Sequence, residues 1–351
     1  MRLDNQAQTT NHLREMCANV SAGAPTQMNS DDHVRAVLGR VRRRLFGIST
    51  EEASFSRRGF RGGDDRVRQR LEQIGRIFLH GYHAALVEDR PDRLASTLDP
   101  IEWKLRGFAF EGAGMGLYLL DLLTPWRRDR LLRFLAGPGE PHAYMVQVGA
   151  GWALAQLGRR VDHAMRQFDP LLGWLAIDGY GFHQGYFHWP ETVERQRFPE
   201  RLSGYARRAF DQGLGRSLWF VEGAEVDRIA ETIARFPRSR HADLWSGVGL
   251  ACAYAGGVPA EAIEALIKFA GVNQPHLAQG VAFAAKARER AGNPASQTLL
   301  ACRLICGMPA EDVARLTDQA LIDLPAEGAI PMYEMWRKRI EANWIKEAVT
   351  S

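Results

Sequence analysis

Apolar residues recur along this chain with the spacing of helices that bury one face. From Val67 to Val87 they fall three and four residues apart, which predicts the first long helix. The segments 227–236 and 261–269 are amphipathic in the same way. Prolines stand between such segments, and no alternating strand pattern or hairpin sequence stands out. The pattern predicts an all-α fold.

A glycine motif returns within the predicted helices at an almost constant interval. Its first glycines are residues 81, 112, 149, 179, 213, 247 and 280, which lie 30 to 37 residues apart. Self-similarity near this period is typical of stacked helical hairpins, because no single unit can bury its own apolar face. We therefore predict about seven tandem helical-hairpin repeats that form an α-solenoid or a closed α/α toroid.

Glycine inside a helix needs a structural reason, since each one costs about 1 kcal/mol relative to alanine. Close approach of neighbouring helices would supply that reason, because a glycine leaves no side chain between two backbones. The glycine-bearing helices are therefore predicted to form a crowded inner layer, with the more amphipathic helices outside them.

Most copies of the motif carry a polar residue directly before the first glycine, and these positions would line one inner surface if the copies stack in register. The residues are His80, Glu111, Asp178, Gln212, Ser246 and Gln279, with Val148 as the exception. One turn later the same face offers His83, Met115, Trp152, Phe182, Arg216, Leu250 and Phe283. Such a wall would suit a long unsaturated or aromatic ligand. For Gln212, Ser246 and Gln279 helix capping or contact between repeats is the favoured interpretation.

The segment 178–189 is the densest group of candidate functional side chains, because it combines Asp178, His183, five aromatic residues and three glycines. A carboxylic acid among apolar neighbours has a raised pKa and can donate a proton at neutral pH. We therefore expect Glu111 or Asp178 to act as acid or base, with His183 or His80 as its proton partner. The alternative is that the segment is a joint of aromatic packing.

Composition narrows the class of protein. The 351 residues carry a net charge of +4, and the excess positive charge lies in residues 33–70, where eleven arginines face four acids. A nucleic-acid-binding protein would spread such charge over a folded face, so we expect no nucleic-acid partner. The sequence contains no run of about 18 apolar residues and no apolar leader, so we expect a cytoplasmic protein without a membrane partner.

Three regions are expected along the chain: a disordered N-terminal extension at residues 1–30, a basic helix and loop at 31–70, and a helical-repeat domain at 71–351. The arginines of the second region could hold a phosphate or the surface of an acidic carrier protein. The favoured interpretation is that they pair with the nearby acids 51, 52, 64 and 65.

No cofactor or metal is expected. Phosphate-binding loops and nucleophile elbows are missing from the sequence, and the Gly-x-Gly pairs lack the strand and third glycine of a dinucleotide site. A metal remains an alternative because carboxylates and histidines on helices can form metal sites. The possible ligands are His80, His83, Glu111, Asp178 and His183.

Several long strings resemble one bacterial family. They are found at residues 43–48 (RRLFGI), 80–86 (HGYHAAL), 106–112 (RGFAFEG), 148–153 (VGAGWA), 178–187, 218–223 and 243–247. The resemblance is to domain-of-unknown-function family 1702 and covers roughly residues 38–320. Members of that family occur in gene clusters for enediyne polyketides. The resemblance therefore implies a part in the maturation of a polyketide polyene toward an enediyne core, and it carries over no catalytic residues.

Two hypotheses from different classes follow. The first is an enzyme or binding chamber that transforms a linear polyene or an enediyne-core precursor by cofactor-free isomerisation, cyclisation or elimination. Its candidate substrate-binding residues are His83, Trp152, Tyr180, Phe182, Arg216, Trp219 and Phe283. The second is a noncatalytic helical scaffold for a carrier protein or partner enzyme of the polyketide synthase. An enclosed apolar cavity on which Glu111, Asp178 and His183 converge would favour the first, and an open polar groove the second.

Overall fold

The computed structural model describes residues 30–350, except residues 125, 160, 201 and 326–329. The predicted N-terminal extension lies outside the described residues, apart from Ser30 at its end. The described chain is helical and contains no strand, which confirms the all-α expectation. Among these residues no helix is both long enough and apolar enough to cross a bilayer.

Seventeen α-helices follow one another along the described residues. They are α1 (Ser30–Phe46), α2 (Phe55–Arg58), α3 (Asp65–Val87), α4 (Pro91–Leu98), α5 (Trp103–Leu123), α6 (Arg130–Leu135), α7 (Ala143–Gln156), α8 (Val161–Met165), α9 (Trp174–Phe187), α10 (Ala206–Val221), α11 (Val226–Ala234), α12 (Arg238–Tyr254), α13 (Ala260–Ala270), α14 (Gln274–Arg290), α15 (Ser296–Ala301), α16 (Ala310–Gln319) and α17 (Met332–Thr350). Short 3₁₀ segments occupy Thr50–Ala53, Glu140–His142 and Gly271–Asn273, and π-helical turns occupy Pro190–Glu194 and Cys302–Cys306.

The glycine-bearing helices pack side by side in chain order, as α3, α5, α7, α9, α10, α12 and α14. Their backbones cross at the glycines. A side chain at Gly213 of α10 would overlap the Asp178 carbonyl oxygen of α9, and one at Gly215 would overlap the Leu244 carbonyl oxygen of α12. At each interface between neighbouring inner helices from α3 to α14, one glycine of each helix lies against a backbone carbonyl of the other. Close approach of the backbones is therefore the reason for glycine at these positions.

The first copy of the motif is shifted relative to the alignment made from the sequence. Gly81 crosses the Ala109 carbonyl and Gly112 crosses the Phe78 carbonyl, so Gly81 corresponds to the second glycine of the other copies. Phe78 therefore holds the place on the inner surface that was predicted for His80. The His80 side chain is exposed. The prediction that His80 belongs to the inner polar row is wrong.

The row of inner helices curves until its later members meet its earlier ones. Phe108 of α5 packs edge-on against Tyr254 of α12, with ring centroids 5.1 Å apart. Helix α17 lies inside the curve, where the Tyr333 hydroxyl donates to Gln212 Oε1 of α10 at 3.2 Å. The Trp336 ring of α17 packs against Phe283 of α14 with centroids 4.6 Å apart. Side chains of α17 therefore fill part of the interior.

The basic segment between α1 and α3 packs against α9 and the turn that follows it. The Arg58 guanidinium donates to the Phe187 carbonyl at 2.7 Å, and the Trp189 indole donates to the Arg58 carbonyl at 3.0 Å. Arg57 and Arg58 both pair with Glu52, as the interpretation of local pairing predicted. Arg61 instead pairs with the buried Glu222 at the end of α10. The segment is thereby fixed beside the inner helices.

Candidate functional site

Three charged side chains meet inside the curve of helices. Arg216 of α10 forms an ion pair with Asp178 of α9, and its Nη2 lies 3.7 Å from Glu111 Oε1 of α5. All three side chains are buried. Glu111 and Asp178 directly precede glycines at the crossings, and Arg216 lies one turn beyond the crossing glycine Gly213 of its own helix. The close packing of these helices therefore brings the three side chains together.

Burial sets the protonation states of the two acids. Desolvation raises the pKa of Glu111 to about 7, against the opposing effect of Arg216. Desolvation also raises the pKa of Asp178, although this carboxyl is paired directly with Arg216. One guanidinium can balance only one carboxylate, so Glu111 is the acid that holds a proton near neutral pH. Among the described residues, Glu111 Oε1 accepts no hydrogen bond.

Apolar atoms of Glu111 line part of a small apolar cavity. Aromatic rings form most of its wall, and they belong to Phe78, Phe108, Trp152, Phe182, Tyr186, Phe187 and Phe220. The cavity has a volume of about 40 Å³. Pockets for drug-sized ligands hold roughly 300–1,000 Å³. This conformation therefore has room for a group the size of water but not for a linear polyene.

Trp152 is the centre of the aromatic wall. Its ring centroid lies 4.5 Å from that of Phe78, 5.1 Å from that of Phe182 and 5.5 Å from that of His183. The Trp152 side chain also acts to lower the pKa of Glu111, as a donor beside a carboxylate does. Trp152 therefore lies close to both the Glu111 carboxyl and the His183 imidazole.

The two predicted histidines lie outside this cluster. His183 lines a separate surface depression with Phe187 and His188. Desolvation lowers the pKa of His183 to about 3, so the imidazole is neutral near pH 7 and cannot serve there as an acid. His80 is exposed on α3. The structure therefore brings Glu111 and Asp178 together, but it places neither histidine with them.

The alternative metal site is not assembled. Within the described part of the chain, no group of three or more His, Cys, Asp or Glu side chains is placed to hold a metal ion. His83, one of its possible ligands, is half-buried, and its Nε2 accepts the Ile48 N–H at 3.2 Å.

The predicted substrate-binding residues separate into two groups. Trp152 and Phe182 line the cavity, and the Arg216 guanidinium carbon lies 4.7 Å from the Phe182 ring centroid. The others, which are His83, Tyr180, Trp219 and Phe283, do not line it. Trp219 is fully buried and donates to the Gly256 carbonyl at 2.9 Å, and Phe283 packs against α17. The contacts of Trp219 and Phe283 are those of packing residues.

The remaining polar positions of the inner row connect helices. The Ser246 hydroxyl of α12 donates to Gln279 Oε1 of α14 at 2.7 Å, and Arg337 Nε of α17 donates to the same oxygen at 3.0 Å. Gln212 accepts from Tyr333 of α17. These contacts agree with the interpretation of contact between helices, and none of them caps a helix.

Several cavity residues were not among the predicted site residues. Phe78 and Phe108 lie on the inner faces of α3 and α5, and Phe220 lies near the end of α10. The sequence held one usable signal, because the cavity residues Tyr186 and Phe187 belong to the dense aromatic segment 178–189. Phe78 was missed because the copy of the motif in α3 was aligned two residues out of place.

Comparison with known proteins identifies the family. A family described as "Protein of unknown function (DUF1702)" matches residues 37–344, which is most of the chain. The chain belongs to the DUF1702 family. The matched range contains Glu111, Asp178, Arg216 and the whole aromatic cavity, so this site lies within the DUF1702 region itself. No curated protein and no solved structure matches the chain.

Proposed function

We propose that this DUF1702 protein is an enzyme that moves a proton along a linear unsaturated hydrocarbon chain, with Glu111 as both acid and base. One observation carries the proposal: the buried Glu111 side chain, whose pKa desolvation raises to about 7, lies against a cavity walled by aromatic rings. Such a carboxyl can both give and take a proton at neutral pH, which is what general acid–base catalysis needs.

The proposed reaction is an isomerisation without a cofactor. Glu111 donates its proton to an alkene carbon, which leaves a cation delocalised along the conjugated chain. The faces of Trp152 and its aromatic neighbours stabilise that cation. The Glu111 carboxylate then removes a proton from a different carbon, so the product is an isomer and the acid is restored. The Arg216–Asp178 ion pair keeps one local charge balanced throughout.

The resemblance to proteins from enediyne gene clusters supplies the substrate class. We propose a polyketide-derived linear polyene or an enediyne-core precursor. A conjugated chain is thin and apolar, and a narrow cavity with a mainly aromatic wall matches both properties. Cyclisation or elimination would use the same proton transfer, since each also begins or ends with a proton moved at carbon.

We also infer that the fold is built from tandem helical hairpins bent into a toroid. The support is that each glycine-bearing helix makes the same pair of backbone crossings with its neighbour. The ring-like curvature agrees with the contact between Phe108 and Tyr254, which belong to helices far apart in the row. In such an array the cavity would be the remnant of a central chamber.

Ligand entry must enlarge the cavity. Glu52 and Ala53, from the 3₁₀ segment Thr50–Ala53, line the cavity beside the inner helices. The segment is tied to α9 through the hydrogen bond from Arg58 to Phe187 and through the Glu52–Arg58 pair. We propose that this segment moves away from α9 when a polyene binds, as loops over active sites commonly do.

Gene deletion and complementation test the proposal. Deletion in a producing organism should cause an unprocessed polyene to accumulate, and Glu111→Gln should fail to restore its conversion because glutamine cannot exchange the proton. Asp211→Asn is the matched control, because Asp211 is a buried acid paired with Arg240 away from the cavity. Full rescue by Glu111→Gln would refute acid–base catalysis by Glu111, and full rescue by Asp178→Asn as well would exclude both buried acids.

A noncatalytic scaffold is the second candidate, and an open depression with charged and apolar lining residues favours it. This depression has a volume of about 860 Å³, and Asp121, Arg128, Arg159 and His163 are among its lining residues. An acidic carrier protein would suit its two arginines. If Glu111→Gln rescues the deletion and Arg128→Glu with Arg159→Glu does not, the scaffold is the better account.

A further inference from the structure

Helix α1 turns its apolar side toward solvent. Val34, Val37, Leu38, Val41 and Leu45 fall within a sector of about 100° around the helix axis. All five are exposed, from 41% for Val37 to 69% for Leu45. We call these five residues the α1 stripe. An exposed apolar stripe of this kind marks a surface that contacts something else.

The opposite side of α1 attaches the helix to the body. Gly39 lies directly on the Val87 backbone at the end of α3. Arg42 reaches the buried Asp89 at 3.3 Å, and Asp32 accepts from Arg90 at 2.7 Å. The attachment is therefore made by small and polar residues, which is the reverse of an ordinary surface helix that buries its apolar face.

Positive charge surrounds the stripe. Arg40 and Arg44 lie along one edge of it and Arg35 along the other, by the same helical spacing. Arg40, Arg43 and Arg44 form no ion pair with any described residue. Arginine can extend its charged end away from an apolar layer while its stem remains in contact with that layer. The surface thus combines aliphatic side chains with guanidinium groups that no described acid neutralises.

An exposed tryptophan lies in the segment that shares Asp89 with α1. Asp89 also pairs with Arg127, at 3.3 Å, so the same carboxylate links α1 to the segment before α6. In that segment the adjacent Trp126 is 82% exposed. Tryptophan is enriched where a membrane meets water.

We propose that the α1 stripe binds the surface of an anionic phospholipid bilayer. The helix would lie in the plane of the interface, with the five aliphatic side chains among the acyl chains and Arg40 and Arg44 at the lipid phosphates. A second copy of the chain is a poorer occupant, because pairing two stripes would bring two arginine rows together. The proposal departs from the sequence-based expectation of no membrane partner, requires no membrane-spanning helix, and does not rest on the proposed enzymatic function.

Vesicle cosedimentation with the full chain tests this proposal. The protein should pellet with vesicles of phosphatidylcholine and phosphatidylglycerol, bind pure phosphatidylcholine more weakly, and lose affinity as salt rises. Leu38→Ser with Leu45→Ser should weaken binding at least about tenfold, since two leucines leave the interface. Leu299→Ser is the matched control, because Leu299 is 45% exposed, like Leu38, but lies on α15. Arg40→Gln with Arg44→Gln should flatten the salt dependence.

Three results would overturn the proposal. The first is the absence of vesicle binding by the full chain, or equal binding by the double leucine variant and the Leu299→Ser control. The second is a dimer in sedimentation velocity that the double leucine variant abolishes, which would assign the stripe to a second copy. The third is vesicle binding that appears only after residues 1–29 are deleted. That result would show that residues 1–29, and not a bilayer, cover the α1 stripe in the full chain. Unchanged circular dichroism would show that each variant folds.

Discussion

Glu111 shares the Arg216 guanidinium with Asp178. Because one positive charge serves two carboxyl groups, the pKa of Glu111 remains raised. Asp178 makes the direct ion pair, while the nearer oxygen of Glu111 is 3.7 Å from Arg216 Nη2. Burial of an uncompensated carboxylate is unfavourable, so this carboxyl retains its proton to a higher pH. The aromatic wall then excludes the water that would otherwise solvate the ionised form.

Replacement of Glu111 by glutamine should change how stability depends on pH. The pKa of Glu111 is about 7 in the folded chain against an ordinary value of 4.5, so ionisation across that range favours the unfolded state. The contribution of Glu111 to the free energy of unfolding should therefore fall by about 3 kcal/mol as pH rises through this window. Glu111→Gln should lack that decline in denaturant titrations between pH 4 and about 8.5.

Asp211→Asn provides the comparison for this measurement. Burial raises the pKa of Asp211 to about 6, so its own contribution changes at lower pH than that of Glu111. If wild type and Glu111→Gln show parallel stability curves between pH 5 and 8, the raised pKa of Glu111 is refuted.

At the residue scale the sequence was informative about the acids and less so about their neighbours. Glu111 and Asp178 were found because the motif places both beside backbone crossings. His183 lies apart from the Glu111–Asp178–Arg216 cluster, which the sequence did not show, because proximity in the chain does not tell which side chains meet in space. Phe108 and Phe220 could not be selected, since many aromatic residues share their apolar spacing.

The inner helices depend on glycines that leave no space for a side chain. Gly213→Ala should destabilise the fold by about 3 kcal/mol or more, because the new methyl group overlaps the Asp178 carbonyl oxygen and neither backbone can move alone. Urea unfolding measures the effect. The displaced backbone would also shift Asp178 relative to Arg216.

Gly137→Ala is the control for the helix crossing. Gly137 is exposed, and its nearest atom to an added methyl group is the Arg133 carbonyl oxygen at 3.3 Å. Its effect should remain within about 0.5 kcal/mol, as for most surface changes. Equal effects of the two substitutions would contradict the account of the crossings.

At the element scale the sequence predicted the helices and the crossings, but not every register. Most copies of the motif have two glycines, which fixes their alignment. The copy in α3 has Leu79 where the first glycine would stand, so its single Gly81 was aligned two residues out of place. The alignment of this copy becomes clear only in the structure, from which backbone carbonyl each glycine contacts.

Helix α17 joins distant parts of the molecule through a buried arginine. Arg337 donates to Gln279 of α14 at 3.0 Å and to Asp243 of α12 at 2.8 Å. Arg337→Met should reduce the free energy of unfolding by about 3–5 kcal/mol, because Asp243 loses a buried partner. Thermal or urea unfolding would detect this loss.

Lys338→Met tests whether the effect depends on burial. Lys338 follows Arg337 on the same helix, but its side chain is mostly exposed. This change should alter stability by no more than about 0.5 kcal/mol. A small effect of Arg337→Met, similar to that of Lys338→Met, would show that α17 does not support the inner row.

At the scale of the whole molecule, the sequence could not predict where α17 docks. Tyr333, Trp336, Arg337 and Ile340 have helical spacing and are all buried, so a helix with one buried face was foreseeable. Its partners on α10, α12 and α14 are set by the curvature of the row. That curvature depends on helix packing angles, which no short segment of sequence specifies.

The central claim is that Glu111 exchanges a proton with a carbon of a bound polyene, and deuterium incorporation tests it most directly. A linear conjugated polyene incubated with the protein in heavy water should gain deuterium, detected by mass spectrometry. Wild type and Asp211→Asn should incorporate the label, and Glu111→Gln should not. Binding of the polyene without label uptake by wild type, or equal uptake by Glu111→Gln, would contradict the account.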